Sequence, residues 1–203
     1  MRRLPGTAIP TDFFAGDTVR AARKLIGCLL ARREDDGSYS AGIIVETEAY
    51  VGEDDPACHA AAGCTPRTRV LYGPPGRTYV YFSYGMHHLL NVVCRPAGEP
   101  AAVLLRALRP VAGVERMAER RGRRLPRELA SGPGKLTQAL GIDLEWNDRE
   151  LGQELVLRWG SQRPPVASGF RVGIRKGRER PWRFWWDGDP SVSVGPVRYA
   201  PTP

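Results

Sequence analysis

The stretch Ile43-Ile44-Val45-Glu46-Thr47-Glu48-Ala49-Tyr50 constrains this chain more than any other. Its apolar, β-branched residues read as a buried strand that ends by delivering two carboxylates and a tyrosine. Carboxylates inside an apolar strand need partners, because burying an unpaired charge is costly. Strict alternation places Ile44, Glu46 and Glu48 on one face and Val45 and Thr47 on the other. Further along, Tyr79-Val-Tyr81-Phe-Ser-Tyr84-Gly85-Met86-His-His-Leu-Leu-Asn91 is a second strand, dense in aromatics, that breaks at Gly85. There Tyr79, Tyr81 and Ser83 share a face, opposite Val80 and Phe82.

The remaining segments fit around these two. Thr11-Asp12 or Asp17-Thr18 can cap a first helix through Val19–Ile26, ending near Gly27. Asp35-Asp36-Gly37 reads as a hairpin turn between Leu29–Arg33 and Ser40–Glu48. Residues 51–78, rich in Gly, Pro and charge, form a long ordered loop of the kind that usually carries function. Tyr79–Tyr84 and His88–Cys94 pair across Gly85-Met86. Ala101–Leu108 is an apolar strand into which Arg106 intrudes, and Gly113–Arg121 is a helix followed by the basic run Arg120–Arg127. Ser131 is expected to cap a short helix through Gly132-Pro-Gly-Lys135 towards Gly141. Short strands and turns follow, then a Pro-rich tail. The expectation is one α+β domain over residues 1–203, with a mixed or antiparallel sheet.

Composition narrows the class. The chain has 203 residues, 42% of them hydrophobic, a formal net charge of +8 and a pI of about 9.7. That balance suits an anionic partner. Only Lys24, Lys135 and Lys176 are lysines, however, and a preference for Arg over Lys can follow genome composition. No apolar run is long enough to span a membrane, and the start lacks a signal-peptide core. Cys28, Cys58, Cys64 and Cys94 form neither a CxxC pair nor a zinc-finger spacing, so reduced thiols and no metal are expected.

Each motif has a bland and a chemical reading. The two glutamates are either ion-paired to arginines, or one of them is a general base. Arg106 either pairs with a glutamate or touches a phosphate and orients water. The tyrosines are core or a stacking platform. Tyr84, beside Gly85 at a turn, fits an aromatic that wedges between base pairs. Gly132-Pro-Gly-Lys135 at a helix start resembles an anion site, without the spacing of a P-loop. Carboxylates facing tyrosines suit an activated water acting on a flat ligand, and in so basic a chain a nucleobase is such a ligand.

Taken in order, Glu46-Thr-Glu48-Ala-Tyr50, Asp55-x-Ala-Cys-His59, Thr65-Pro-Arg67, Tyr79-Val-Tyr81-x-x-Tyr84-Gly-Met86, Leu90-Asn91, Val103-Leu-Leu-Arg106-Ala and Gly132-Pro-Gly-Lys135-Leu resemble the alkyladenine (3-methyladenine, methylpurine) DNA glycosylase family. The likeness runs from about residue 10 to about residue 195. It implies a compact mixed domain with a curved antiparallel sheet, flanking helices and a protruding hairpin that intercalates into DNA.

It also implies roles. Glu48 is the general base that activates water for attack on the sugar C1′, with Arg106 and the Val172 carbonyl holding that water. Tyr50 and Tyr81 sandwich a flipped base, His59 bonds its edge, and Asn91 disfavours guanine through its exocyclic amine. Tyr84, supported by Met86, fills the gap in the duplex. Thr65, Arg67 and Lys135 match phosphate-contacting positions, and Glu46 is left as a structural partner. His87 departs from the family pattern, where an aromatic is common. The implied protein is a monofunctional, cofactor-free monomer acting on double-stranded DNA with damaged purines, in the cytoplasm (at the nucleoid in a bacterium). Three rivals remain: a lesion-binding protein without catalysis, a hydrolase of free nucleosides, and a generic nucleic-acid module.

Overall fold

A computed structural model of the chain describes residues 4–83 and 85–193. Its centre is one antiparallel sheet built around β2 (Tyr39–Val51). One edge of β2 pairs with β5 (Ala101–Ala112), and the other pairs first with β1 (Leu29–Arg33) and then with β8 (Arg183–Trp186). Beyond β5 lies the hairpin of β3 (Thr78–Ser83) and β4 (His87–Cys94). Beyond β1 lies β6 (Leu155–Arg158), while β7 (Val166–Gly169) pairs with β8. The sheet curls into a half-barrel with helices packed against it, which is the α+β architecture expected.

The helices seal the apolar side. α1 (Thr18–Lys24) is capped by Asp17, whose side chain accepts from the Arg20 amide at 2.6 Å. Its Ala21 and Ala22 join Ile44, Leu105 and Leu108 in the main core cluster. α2 (Val114–Arg121), the short α3 (Pro126–Leu129) and α4 (Pro133–Leu140) complete the cover; Met117, Leu129, Leu136 and Leu140 are buried in the same cluster. The residue at the start of α4 is Gly132, with no side-chain cap. Ser131 therefore does not cap the helix; its hydroxyl instead lies 3.4 Å from the Lys135 Nζ, which donates to it.

The register between β2 and β5 shifts at three points, and one of them puts the extra residue in β2. The register shifts between Ile44 and Glu46, leaving Val45 as an extra residue in the pairing with β5. Ile44 consequently faces the core with α1, and so does Thr47, whose hydroxyl donates to the Ala22 carbonyl at 2.8 Å. Glu46 and Glu48 point the other way. The expected grouping of Ile44 with the two glutamates is thus overturned by a bulge.

The long segment between β2 and β3 is held by its own small core. Cys58, Ala60, Val70 and Leu71 pack with Tyr79 of β3, and Tyr50 and Tyr81 lean on this cluster. Two short 3-10 turns, His59–Ala62 and Arg69–Tyr72, shape it. At the hairpin Ser83 is registered against His87, Gly85 has φ of 67° as a tight reversal requires, and Met86 is 69% exposed. Tyr84 and the Pro-rich tail lie outside the described residues.

Candidate active site

Glu46 and Glu48 leave β2 on its concave side, where β5 supplies Arg106 directly alongside. Both carboxylates are completely buried, and so, nearly, are Arg106 and Arg183. Glu46 Oε1 accepts from Arg106 Nε at 2.8 Å and from Arg183 Nε at 2.7 Å, and its Oε2 accepts from the Ser193 amide at 2.8 Å. Arg106 reaches on with Nη1 to Glu48 Oε2, 3.2 Å away. Two carboxylates and two guanidiniums thus neutralise one another in a layer almost closed to bulk solvent, the condition under which buried charges are tolerated. Burial alone would raise Glu46, but the Arg106 and Arg183 guanidiniums and Ser193 outweigh it and hold its carboxyl below the ordinary range. Glu46 is a fixed counter-charge and a poor base. Arg106 is ion-paired to both glutamates, the first of its two expected readings, and it also lines the cavity above them.

Glu48 has different company. Its Oε1 accepts from the Val172 amide at 2.6 Å, and its Oε2 accepts from the Tyr50 hydroxyl at 2.7 Å as well as from Arg106. All three partners line a cavity of about 550 Å³, within the usual size of small-molecule pockets. Burial, and then the Glu48 charge, push the Tyr50 phenol far above its ordinary value, so Tyr50 remains a donor to the carboxylate.

The same cavity is lined by His59, Tyr79, Tyr81, Asn91 and Arg67. Asn91 Nδ2 donates to the Tyr79 carbonyl at 2.9 Å, which fixes the amide across the hairpin. His59 Nδ1 lies 2.9 Å from the Tyr79 hydroxyl, and its ring meets Tyr81 edge-on at 4.5 Å between centroids. Burial first, and the Arg67 charge second, drive the His59 imidazole down to about 4. It is therefore neutral at pH 7. The unfolded chain takes up this proton near pH 6.5 and the native one does not, so stability is complete above that value and falls as pH drops towards 4. Melting temperatures of a His59→Gln variant are expected to fall less steeply than those of the unsubstituted chain between pH 7 and pH 4.5. Equal slopes would contradict the assignment.

A second buried ion pair supports the site from behind. Arg171 Nη1 and Nη2 donate to the two oxygens of Asp55 at 2.5 and 2.7 Å, and Nη1 also donates to the Ala49 carbonyl at 2.9 Å. The guanidinium lies 4.8 Å from the Tyr50 ring centroid. One clamp therefore fixes the loop after β2, the Tyr50 ring and the Arg171-Val172 backbone that reaches Glu48.

Among the expected site residues, Arg106, Val172, Tyr50, His59, Tyr81, Asn91 and Arg67 line one cavity, and Glu48 sits behind it, bonded to the first three. Thr65 stands apart, its amide and hydroxyl both bonded to the Thr68 hydroxyl, at 2.8 and 2.9 Å. Lys135 is exposed in the first turn of α4. Met86 is exposed at the hairpin tip, and Tyr84 is outside the described residues. Asp55, Arg171, Arg183, Tyr79 and Ser193 were not singled out as site residues from sequence. Among the described residues no group of three or more His, Cys, Asp or Glu side chains is placed to hold a metal ion. None of their helices is long and apolar enough to cross a membrane.

Comparison with known proteins agrees in one direction. The sequence profile of a family described as methylpurine-DNA glycosylase matches residues 12–190. A protein of Chlorobaculum parvum is 44% identical over 186 residues, covering 90% of this chain and 89% of the relative. One from Carboxydothermus hydrogenoformans is 45% identical, covering 91% and 98%, and one from Rhizobium meliloti is 46% identical, covering 90% and 94%. All three carry the name "Putative 3-methyladenine DNA glycosylase".

Proposed function

The chain belongs to the methylpurine-DNA glycosylase family, and on that premise we propose that it is a monofunctional hydrolase of base excision repair. It flips alkylated or deaminated purines, among them 3-methyladenine, 7-methylguanine, hypoxanthine and etheno-adenine, out of duplex DNA and releases the base. The observation that carries this reading is the Glu48 carboxylate, bonded to three groups that all line the cavity.

In the proposed reaction a water oxygen forms a bond to C1′ while the C1′–N bond to the purine breaks. The bonding pair leaves with the base, and the water's proton passes to Glu48 and then to solvent. Arg106 and the Val172 carbonyl hold the water. Tyr50 and Tyr81 stack the base, neutral His59 meets its edge, and Asn91 rejects guanine. Tyr84 fills the vacated stack with Met86 beside it, while Thr65 and Lys135 meet backbone phosphates. The water, and not a lysine amine, is the nucleophile at C1′, so the strand stays uncut; Lys176, which lines the cavity, serves as a cation there. We read residues 1–203 as one domain that acts as a monomer on DNA in the cytoplasm, without a cofactor.

The test offers hypoxanthine in a duplex and inosine as a free nucleoside. Release from the duplex alone, at a rate that falls with salt as phosphate contacts require, is the expected result. Equal release from inosine would place the protein among nucleoside hydrolases. A second expectation concerns the hairpin. A Cβ at Gly134 would approach the His87 ring to 2.8 Å, so α4 and the hairpin tip touch only because this residue is glycine. Gly134→Ala gains helix propensity but must displace the hairpin, two opposed effects of about 1 kcal/mol each. The melting temperature is expected to change little, while affinity for a lesion-bearing duplex in a binding titration falls by about tenfold.

A further inference from the structure

We propose that Arg67 is a specificity-determining residue of the base pocket, tilting it towards neutral lesions and away from purines that carry positive charge. This rests on the glycosylase reading above and deepens it. Family resemblance matches Arg67 to a phosphate contact, yet its side chain, though exposed, lies over the Tyr81 ring. The guanidinium carbon lies 5.3 Å from the Tyr81 ring centroid, and the residue lines the cavity with His59, Tyr79 and Tyr81. Its charge is felt by both neighbours: it adds to burial in depressing His59, and it opposes burial at the Tyr79 phenol.

Both tyrosines of the proposed sandwich already carry a cation, Arg67 at Tyr81 and Arg171 at Tyr50. A ring whose π-face serves one guanidinium offers less to a second cation. Arg106, Arg175 and Lys176 also line the cavity, while Glu48 lies behind the lining with its charge taken up by Arg106, the Tyr50 hydroxyl and the Val172 amide. A positively charged 7-methylguanine is therefore opposed on entry.

The chemistry acts in the same sense. When the C1′–N9 bond to hypoxanthine breaks, the electron pair leaves a developing anion on the base, which later takes a proton from solvent. A nearby guanidinium stabilises that anion. With 7-methylguanine the same pair cancels the charge of the base, which departs neutral, so Arg67 gives no such help.

The experiment measures single-turnover base release from duplexes holding one hypoxanthine or one 7-methylguanine. The full-length chain, Arg67→Gln and Arg67→Lys are compared. Arg67 is exposed, so its replacement should leave the fold intact. One charge acting over a few ångströms at the edge of the solvent corresponds to about tenfold. Arg67→Gln is expected to raise the rate on 7-methylguanine relative to hypoxanthine by about that factor, while Arg67→Lys stays within about threefold of the parent ratio. An unchanged ratio in Arg67→Gln, with weaker duplex binding whose salt dependence drops by about one phosphate, would overturn the inference in favour of a backbone contact. Failure of the unsubstituted chain to release either base would sink the glycosylase reading itself, and this inference with it.

Discussion

Glu48→Gln is expected to lower base release from a hypoxanthine duplex by about a thousandfold or more while lesion binding persists. The loss of a positioned general base costs roughly two to four orders of magnitude. Glutamine keeps the shape, and its oxygen can still accept from the Val172 amide that now donates to Glu48 at 2.6 Å. Its amide group can donate to the Tyr50 oxygen, which reverses that hydrogen bond without breaking it. What the amide cannot do is take a proton from water. Single-turnover rates and a binding titration on the same duplex check the separation. Unchanged rates would remove Glu48 from the mechanism.

Glu46→Ala should do the opposite, with the larger cost in stability. Glu46 bridges Arg106 and Arg183 and fastens the Ser193 amide. Removing it takes one negative charge from a layer where the Arg106 and Arg183 side chains are almost inaccessible, 7% and 2%, and leaves Glu48 as the remaining carboxylate on Arg106. Breaking a buried pair in this way costs about 3–5 kcal/mol. In a chain of this size that corresponds to a melting temperature lower by roughly 10 °C. Glu48→Gln should lower it less, because Arg106 keeps Glu46 and the Val172 amide keeps an acceptor, so that only the Arg106 Nη1 and Tyr50 hydroxyl contacts with position 48 are lost or reversed. Calorimetry on the two variants reads the difference. If Glu46→Ala melts like the parent, the buried quartet is not the foundation of the site.

The two glutamates differ in ways that local sequence does not reveal. Both lie in one strand and share a face, so periodicity narrows the base to a pair and stops there. The distinction comes from residues far along the chain. Arg183 and Ser193 reach Glu46, while Val172 reaches Glu48. Arg183 did leave a trace, since an arginine in Arg-Phe-Trp-Trp is the same anomaly that draws attention to Arg106. The Asp55–Arg171 clamp leaves less: Asp55 opens the motif that ends at His59, but nothing local pairs it with an Arg before Val172 until the fold brings them together.

Elements set by local chemistry were legible. The Asp17 cap, the Asp35-Asp36-Gly37 turn and the aromatic face of Tyr79 and Tyr81 follow from residue type and spacing alone. The bulge at Val45 does not, because it exists only in the register between β2 and β5, and a single extra residue turns Ile44 from the carboxylate face to the core. Gly132 rather than Ser131 at the start of α4 is a similar case. Arg67 was readable as a basic loop residue, but its direction depends on how the loop folds back over Tyr81.

The central claim is that this site hydrolyses the bond between a damaged purine and its sugar and does nothing further to the strand. It is tested most directly by incubating the full-length chain, with EDTA present, with a hypoxanthine-bearing duplex. Free base is measured by chromatography, and the strand is examined before and after hot alkali. The account predicts release of hypoxanthine and a strand that breaks only on alkali treatment. Tight binding with no free base would contradict it and leave a lesion-binding protein; strand cleavage without alkali would contradict the monofunctional mechanism.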